Sequence, residues 1–379
     1  MKILTIVPSY KPAYVYGGPI RSIAALCESL VEAGHKVTVY TTMANGDLEL
    51  NVEAGKEYLV DGVKVIYFKR VTKGNSNLSP QLLRSLCRYV AQFDIVHIHS
   101  WWNMVTIPAV WICLHKGVTP LISPRGTLTR YSFTHSRSLP RRLFHILSGK
   151  ELLNRSSVIF TSEREKEEAS KFVNGKSRHV LSNVLDLQAE AKYTHTDTTY
   201  FKLLFLGRID PAKNLELLIQ VLSEISEFPY ELIIAGEGNT LYTQKLKLLT
   251  SRLNQIKWIG EVEGDEKYRR LAEADLLVLP SHTENFGNVV FEALSQGTPV
   301  MVSDQVGAKD YIQERKLGWV VALDEDKWKS ALIEIWQDSK RREDIRARAP
   351  LCIARDFDKK KQIQAYIELY KEHMKESSK

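Results

Sequence analysis

The sequence predicts an α/β protein made of two doubly wound parallel sheets. Three observations carry that expectation. Short β-rich runs alternate with helix-period segments along most of the chain. The alternation falls into two series, separated by a polar stretch at 188–200 that has no sustained apolar pattern and reads as a linker. The 379 residues are too many for one ordinary core and suit two of roughly 150–200 each. No hairpin signal is read between the strands, which favours parallel pairing with helical crossovers.

The first series begins with a short β-rich run at 1–7. Residues 18–33 place Ile20, Ile23, Ala24, Leu26, Cys27, Leu30 and Val31 at helical spacing and stop at Gly34, the residue type that closes helices. Residues 36–41 and 63–68 read as strands, and 78–91 as a helix after Pro80. The segment DIVHIH at 94–99 is a strand whose apolar members are Ile95, Val96 and Ile98. A short apolar helix at 106–115 follows, then strands at 120–123 and 158–161 and a Glu/Lys-rich helix at 163–172.

The second series starts with a strand at 201–206 and a helix at 214–225. A strand at 230–235, a helix at 241–253 and strands at 256–259, 274–280 and 299–303 follow. The helix at 288–296 is closed by Gly297. Two such domains facing each other across a cleft would hold a ligand at the carboxyl ends of their strands.

Hydrophobic residues make up 44% of the chain and charged residues 26%, the mix of a soluble globular protein. That excludes a disordered chain, a collagen-like fibre and a small disulfide scaffold. Cys27, Cys87, Cys113 and Cys352 are far apart and form no CxxC pair, so they read as buried thiols in a reducing compartment. The longest apolar run, at 104–114, falls short of the ~18 residues a membrane span needs. MKILTIVPSY lacks a long apolar core and a cleavage site, so a first strand is expected there rather than a signal peptide. These features point to a cytoplasmic protein.

The net charge of +7 is unevenly spread. Residues 1–190 hold 24 Lys and Arg against 15 Asp and Glu, a balance of +9; the remainder holds 28 against 30, a balance of −2. From Ile95 to Lys150 there is no acidic residue, while Lys116, Arg125, Arg130, Arg137, Arg141, Arg142 and Lys150 are basic. A strongly positive face on the first half implies an anionic partner: a phosphate-bearing ligand, an acidic membrane surface or nucleic acid.

Three segments carry candidate chemistry. The loop at 8–19 holds Tyr10, Lys11, Tyr14, Tyr16 and the pair Gly17–Gly18 ahead of a helix. Glycines let backbone approach a ligand, and the helix start offers free N–H groups to an anion; a flexible surface turn would look the same. In FLGRIDPAKN, Arg208 and Lys213 lie beyond the carboxyl end of a strand, where two cations can pair with a diphosphate. In PSHTENFGNVVFEALSQGTPVMVSD, Glu284 follows a strand and Gly287–Asn288 opens a helix. Glu292 stands eight residues beyond Glu284, at most ~12 Å along a helix axis. That spacing resembles the reach from the sugar of a nucleotide-sugar to its ribose. Glu292 interrupts the apolar run Val289, Val290, Phe291, Ala293 and Leu294, and a carboxylate so placed needs donors, for which ribose hydroxyls are suitable.

Other patterns exclude functions. Gly236–Glu237–Gly238 lacks the third glycine of a dinucleotide fingerprint, and no GxxxxGK[ST] loop is present. His97 and His99 share a strand face without a third metal ligand nearby, so no metal site is expected. Ser281–His282 has no nucleophile elbow.

GRIDPAKN, AGEG, WIGEV and ENFGNVVFEALSQGTPVMVSD together resemble the retaining family-4 glycosyltransferases (group 1) of the GT-B fold. The strong part of the match covers about 201–304; the glycine pair, DIVHIHS and TSEREKEE extend it weakly to most of the chain. The resemblance implies two Rossmann-like domains: 1–190 on the acceptor side and 191–357 on the donor side, with a terminal helix at 358–379 packing back on the first. It implies that Arg208 and Lys213 neutralise the donor diphosphate and that Glu284 sits near the transferred sugar. Phe286, Gly287, Asn288 and Val289 would form the turn whose N–H groups meet sugar and phosphate, and Glu292 would hold the ribose. Gly17 and Gly18 would close over the phosphates, and the loop ending at Val262 would read the base. Two motifs depart from the family. Pro124-Arg125-Gly126 stands where many relatives carry His-Gly, and an arginine there cannot act as a base. Ser182-Asn183-Val184-Leu185-Asp186 stands where relatives carry Pro-Asn-Gly-Val-Asp. Arg125 and His99 are candidate contacts to sugar or acceptor.

The expected activity is transfer of a hexose from a nucleoside diphosphate sugar, a UDP-sugar by preference, with retention at the anomeric carbon. No cofactor and no metal is expected, since protein cations can carry the leaving charge and no DxD-like motif occurs. The acceptor would be a glycan or a lipid-linked sugar, in surface polysaccharide or other glycan synthesis. The stretch 116–150, where apolar residues alternate with cations, could lie on an anionic membrane surface or form an ordinary loop and core helix. Competing readings are a non-catalytic nucleotide-sugar-binding regulator and a GT-B UDP-sugar epimerase. Nucleic-acid binding lacks a recognised module and leaves Glu284 and Glu292 unexplained.

Overall fold

The computed structural model describes residues 1–377 except 75, 135–141, 174–176, 188–192 and 197. The chain forms two compact units: Met1–Asp186 with the chain from Lys359 onward, and Leu187–Asp358.

The first unit is built on β1 (Lys2–Ile6), β2 (Lys36–Thr42), β3 (Ala44–Asn45), β4 (Leu48–Glu49), β5 (Glu57–Val60), β6 (Val63–Phe68), β7 (Ile95–His99), β8 (Leu121–Ser123), β9 (Ser157–Phe160) and β10 (Ser177–Val180). Its helices are α1 (Gly18–Glu32), α2 (Pro80–Tyr89), α3 (Thr106–His115), α4 (Arg130–Thr134), α5 (Lys150–Asn154) and α6 (Glu163–Ser170). Eight strands form one sheet in the order β10-β9-β8-β7-β1-β2-β6-β5. Successive strand residues enter opposite cores. Ile3, Val37, Ile95, Leu121 and Ile159 pack on one face; Leu4, Val96, Ile122, Val158 and Phe160 pack on the other. That two-sided burial is why these strands read as continuous apolar runs. Ile23, Leu26 and Leu30 of α1 share the first face with Ile363, Tyr366, Ile367 and Tyr370 of the terminal helix, Lys359–Ser377. Leu82 and Leu86 of α2 and Ala109, Val110 and Cys113 of α3 cover the second.

One edge departs from the all-parallel expectation. β5 pairs antiparallel with β6, joined by Asp61 at φ 48° and Gly62 at φ 79°. An Asp-Gly pair with both φ positive is a hairpin turn matched to strand twist. A second, two-residue hairpin pairs β3 with β4. The cysteine expectation also needs correction. Cys27 and Cys113 are buried, but Cys87 is exposed on α2 and Cys352 is only partly covered.

The second unit contains β11 (Phe201–Leu206), α7 (Leu215–Ser223), β12 (Tyr230–Ala235), α8 (Thr240–Leu249), β13 (Ile256–Gly260), α9 (Gly264–Glu273), β14 (Leu276–Leu279), α10 (Asn288–Ser295), β15 (Val300–Ser303), α11 (Lys309–Arg315), β16 (Gly318–Val321), α12 (Glu325–Gln337) and α13 (Ser339–Asp356). The terminal helix named above is α14. The sheet runs β13-β12-β11-β14-β15-β16, and every pairing is parallel. β11 is central, with chain crossings to either side, so the ends of β11 and β14 mark the switch of strand order where ligands bind in such sheets. α9, α11, β16, α12 and α13 are elements that the sequence reading did not assign. Among the described residues no helix is long and apolar enough to cross a membrane.

Candidate functional site

In the second unit, three loops at the carboxyl end of the sheet are tied together by backbone. Ile209 N–H donates to Glu237 O at 2.8 Å, and Asn239 N–H donates to Ile209 O at 3.0 Å. His282 N–H donates to Ala212 O at 2.8 Å, joining the loops after β11 and β14. The Asp210 carboxylate accepts from Ala212 N–H at 3.0 Å and caps the short turn Pro211–Lys213. Asn214 then takes φ 53° and opens α7. This fixes the direction of Lys213, whose ammonium pairs with the Glu284 carboxylate. Both side chains are only about one-fifth exposed (18% and 20%), so the pair is shielded yet open to a ligand. Arg208 is different: its side chain is 59% exposed and stands 3.8 Å from Asp210.

Glu284 is held by its own backbone. Its N–H donates to Gln305 O at 3.2 Å, and Gly307 N–H donates to Glu284 O at 2.8 Å. Phe286 is buried and stacks on Phe291 at 4.6 Å between centroids, anchoring the turn. Gly287, at φ 84°, is the N-cap of α10, and Asn288 and Val289 follow as its first two residues. The first N–H groups of a helix have no intrahelical acceptor and carry the positive end of its dipole. A polar turn with a lysine and a carboxylate beside it thus lies next to a helix start, a combination suited to a phosphorylated sugar.

Glu292 lies one helical turn further along α10, and its carboxylate already has a protein donor: Lys267 Nζ of α9 at 2.9 Å. Their side chains are 13% and 15% exposed. Sequence reasoning missed Lys267 because α9 was not assigned. The signal was Tyr268, Leu271 and Ala272 at helical spacing, the three residues of α9 that are buried. Val262 is half-buried just beyond β13.

In the first unit, Gly17 takes φ 72° and Gly18 is the first residue of α1. Gly17 N–H donates to Tyr14 O at 2.7 Å, closing the tyrosine turn. At the carboxyl ends of β7 and β8 lies a buried polar cluster. Arg125 adopts φ 51° and donates Nε–H to His99 Nδ1 at 3.1 Å. Its Nη1 donates to Ser22 Oγ at 3.1 Å and to Asn183 Oδ1 at 2.6 Å. His97 bonds Tyr370 OH and Ser123 Oγ, both at 2.8 Å. Burial, with Arg125 close by, holds both imidazoles well below the usual histidine range, so they are neutral. His97 thus ties β7 to α14, and His99 accepts from Arg125. Among the described residues no group of three His, Cys, Asp or Glu side chains stands close enough to hold a metal ion.

Of the basic stretch at 116–150, residues 135–141, with Arg137 and Arg141, lie outside the described residues. Leu143, Ile146 and Leu147 are exposed, and Ile146, Phe133 and Phe172 line a recess that Arg130, Arg142 and Lys171 also border.

Comparison with known proteins gives a consistent result. A model of glycosyltransferase family 4 matches residues 16–189, and a model of glycosyl transferases group 1 matches residues 188–351. An uncharacterized glycosyltransferase of Methanocaldococcus jannaschii is 26% identical over 344 residues, covering 86% of each chain. A phosphatidyl-myo-inositol mannosyltransferase of Mycolicibacterium smegmatis is 26% identical over 349 residues, covering 88% of this chain and 85% of its own. Among solved structures, HepE of Anabaena in complex with UDP-glucose superposes with TM-score 0.75 at 19% identity, covering 98% of this chain and 100% of its own. Sucrose-phosphate synthase from Thermosynechococcus elongatus gives TM-score 0.76 at 17% identity and covers 98% of each chain.

Proposed function

We propose, for a chain that belongs to the group 1 glycosyltransferases of the GT-B fold, that it moves a hexose from a nucleoside diphosphate sugar to a glycan or lipid-linked acceptor with retention. The observation that carries this is the meeting of Lys213 and Glu284 beside the Gly287 start of α10. A lysine ammonium and helix N–H groups suit the diphosphate, and a carboxylate beside them suits sugar hydroxyls.

In this proposal the diphosphate displaces Glu284 from Lys213 and takes Arg208 as a second cation. Negative charge grows on the phosphate as the bond to C1 breaks. Lys213, Arg208 and the N–H groups at Gly287–Val289 stabilise that charge. The acceptor oxygen bonds to C1 on the face the phosphate leaves, and the acceptor proton passes to the phosphate oxygen. Protein cations carry the leaving charge without a metal ion. Glu292 accepts from the ribose while Lys267 holds its orientation, and the loop at Val262 lies against the base.

UDP-glucose in the Anabaena HepE structure makes a UDP-sugar the first donor to try. Exposed Leu143, Ile146 and Leu147 beside Arg142 support the reading of a peripheral contact with an anionic membrane, from which a lipid-linked acceptor would be drawn. Vesicle flotation with acidic lipids tests that contact, and absence of salt-sensitive binding removes it. The activity is tested by incubating the protein with UDP-, GDP- and ADP-sugars and following nucleotide release with and without glycan acceptors. Acceptor-stimulated release and an α-linked product from an α-linked donor support the proposal. Tight donor binding without release or transfer would favour a regulator.

A further inference from the structure

Arg125 is a partly exposed cation that forms no ion pair among the described residues. Of its five N–H groups, Nε–H goes to His99 and the two on Nη1 go to Ser22 and Asn183, all neutral acceptors. The two on Nη2 have no acceptor among the described residues. The Glu165 carboxylate acts on Arg125 only through its field, because its oxygens accept from Gly126 N–H at 2.6 Å, Thr161 N–H at 2.7 Å and Thr161 Oγ1 at 3.0 Å. Burial pulls the guanidinium below the usual arginine range, against the fields of Tyr366 and Glu165. The residue is partly open to solvent, so the edge of the guanidinium that carries Nη2 is both without an acceptor among the described residues and reachable by a ligand.

Its placement is also rigid. The backbone sits in the left-handed region, which a non-glycine residue occupies against a steric penalty. Three hydrogen bonds, to β7, to α1 and to the stretch after β10, hold the side chain. Ser22 belongs to the N-terminal part of α1, so the positive end of a 15-residue helix adds to the same field. The 56 residues from Ile95 to Lys150, which supply both β7 and Arg125, contain no acidic residue, and Glu165 opposes the charge from outside that stretch.

We propose that Arg125 anchors an oxyanion site in the first unit, and that the substrate bears a carboxylate or phosphate on a sugar ring. The inference rests on the glycosyl-transfer reading and sharpens it: the chain handles an acidic sugar, such as a hexuronate or a sugar phosphate. A neutral hydroxyl would satisfy Nη2 but leave the charge unbalanced, whereas an oxyanion does both. The acidic sugar can be the one transferred or the one that accepts.

The test uses the full chain and calorimetric titration with UDP, D-glucuronate, glucose 6-phosphate, D-glucuronamide and glucose. The expected result is at least tenfold tighter binding of glucuronate or glucose 6-phosphate than of their neutral counterparts. Arg125→Gln abolishes that preference and Arg125→Lys retains part of it, while UDP affinity stays within twofold. Should Arg125→Gln fail to fold, glucuronate against glucuronamide on the unaltered protein decides, since they differ in charge alone. Titrations of UDP-glucuronate against UDP-glucose, and of free glucuronate with UDP present, separate a donor-borne from an acceptor-borne anion. No preference for charge in any arm, or the same preference in Arg125→Gln, overturns the proposal. Failure of UDP to bind would instead remove the donor reading and leave the anion preference to be judged by itself.

Discussion

Lys213 and Glu284, 71 positions apart in the chain, form an ion pair at the carboxyl end of the second sheet. The pair keeps both groups in place when no substrate is bound, and it sets up a competition. A diphosphate must draw Lys213 away from Glu284, and a sugar must satisfy the carboxylate so released. Glu284→Gln removes the competitor. UDP should bind several-fold more tightly to this variant while hexose transfer slows at least tenfold. Calorimetric titration and steady-state turnover measure the two effects; a large loss of UDP affinity would mean that Glu284 helps hold the nucleotide.

Lys267 and Glu292 bridge α9 and α10. Lys267→Ala leaves a mostly buried carboxylate without its donor and should destabilise the protein by about 1–3 kcal/mol. Adding Glu292→Gln should recover much of that loss, and chemical denaturation of the two singles and the double closes the cycle. Glu292→Ala should weaken UDP binding but leave pyrophosphate binding almost unchanged.

Gly287 has φ 84°, and a Cβ there would stand 3.2 Å from Val306 Cγ1 and 3.3 Å from Val290 Cγ2. Gly287→Ala therefore meets both a backbone penalty of about 1–2 kcal/mol and crowding. The turn must shift, and with it the N–H groups of Asn288 and Val289. Thermal unfolding should show the loss of stability and titration a weaker UDP; unchanged UDP affinity would remove the helix start from the site.

Most of this order was readable because strands and helices bury residues with different periods. β11 and β12 have the bounds the apolar runs suggested, because both lie inside the sheet and their ends coincide with polar turns. The hairpin at Asp61–Gly62 departs from the all-parallel expectation, and Asp-Gly between two β-rich runs is its signal. α9 was obscured by its charged residues, which outnumber its three buried ones. In the site, Glu284, Gly287 and Glu292 could be singled out because they share one short segment. Their lysine partners could not be matched to them, since Lys267 reaches Glu292 only through the packing of two helices. Arg125 is visible as a departure from a family motif, but its three neutral acceptors are tertiary facts.

His97 and His99 give a pH signature in the first unit. Both are buried neutral and protonate less readily folded than unfolded. The unfolded chain then binds more protons as pH falls below about 6.5, so stability is full above that value and declines below it. Each histidine adds a slope of up to about 1.4 kcal/mol per pH unit in that range. Denaturation from pH 7.5 to 5 should show the decline, and His97→Gln should flatten it. A pH-independent midpoint would contradict the buried neutral assignment.

The most direct test of the account is titration of UDP into the unaltered protein and into Lys213→Ala. Saturable binding to the first is expected, with a loss of about 10- to 100-fold in the second, the effect of one charge-assisted hydrogen bond of about 1.5–3 kcal/mol. Equal affinity in a folded Lys213→Ala would contradict the claim that this lysine grips the diphosphate.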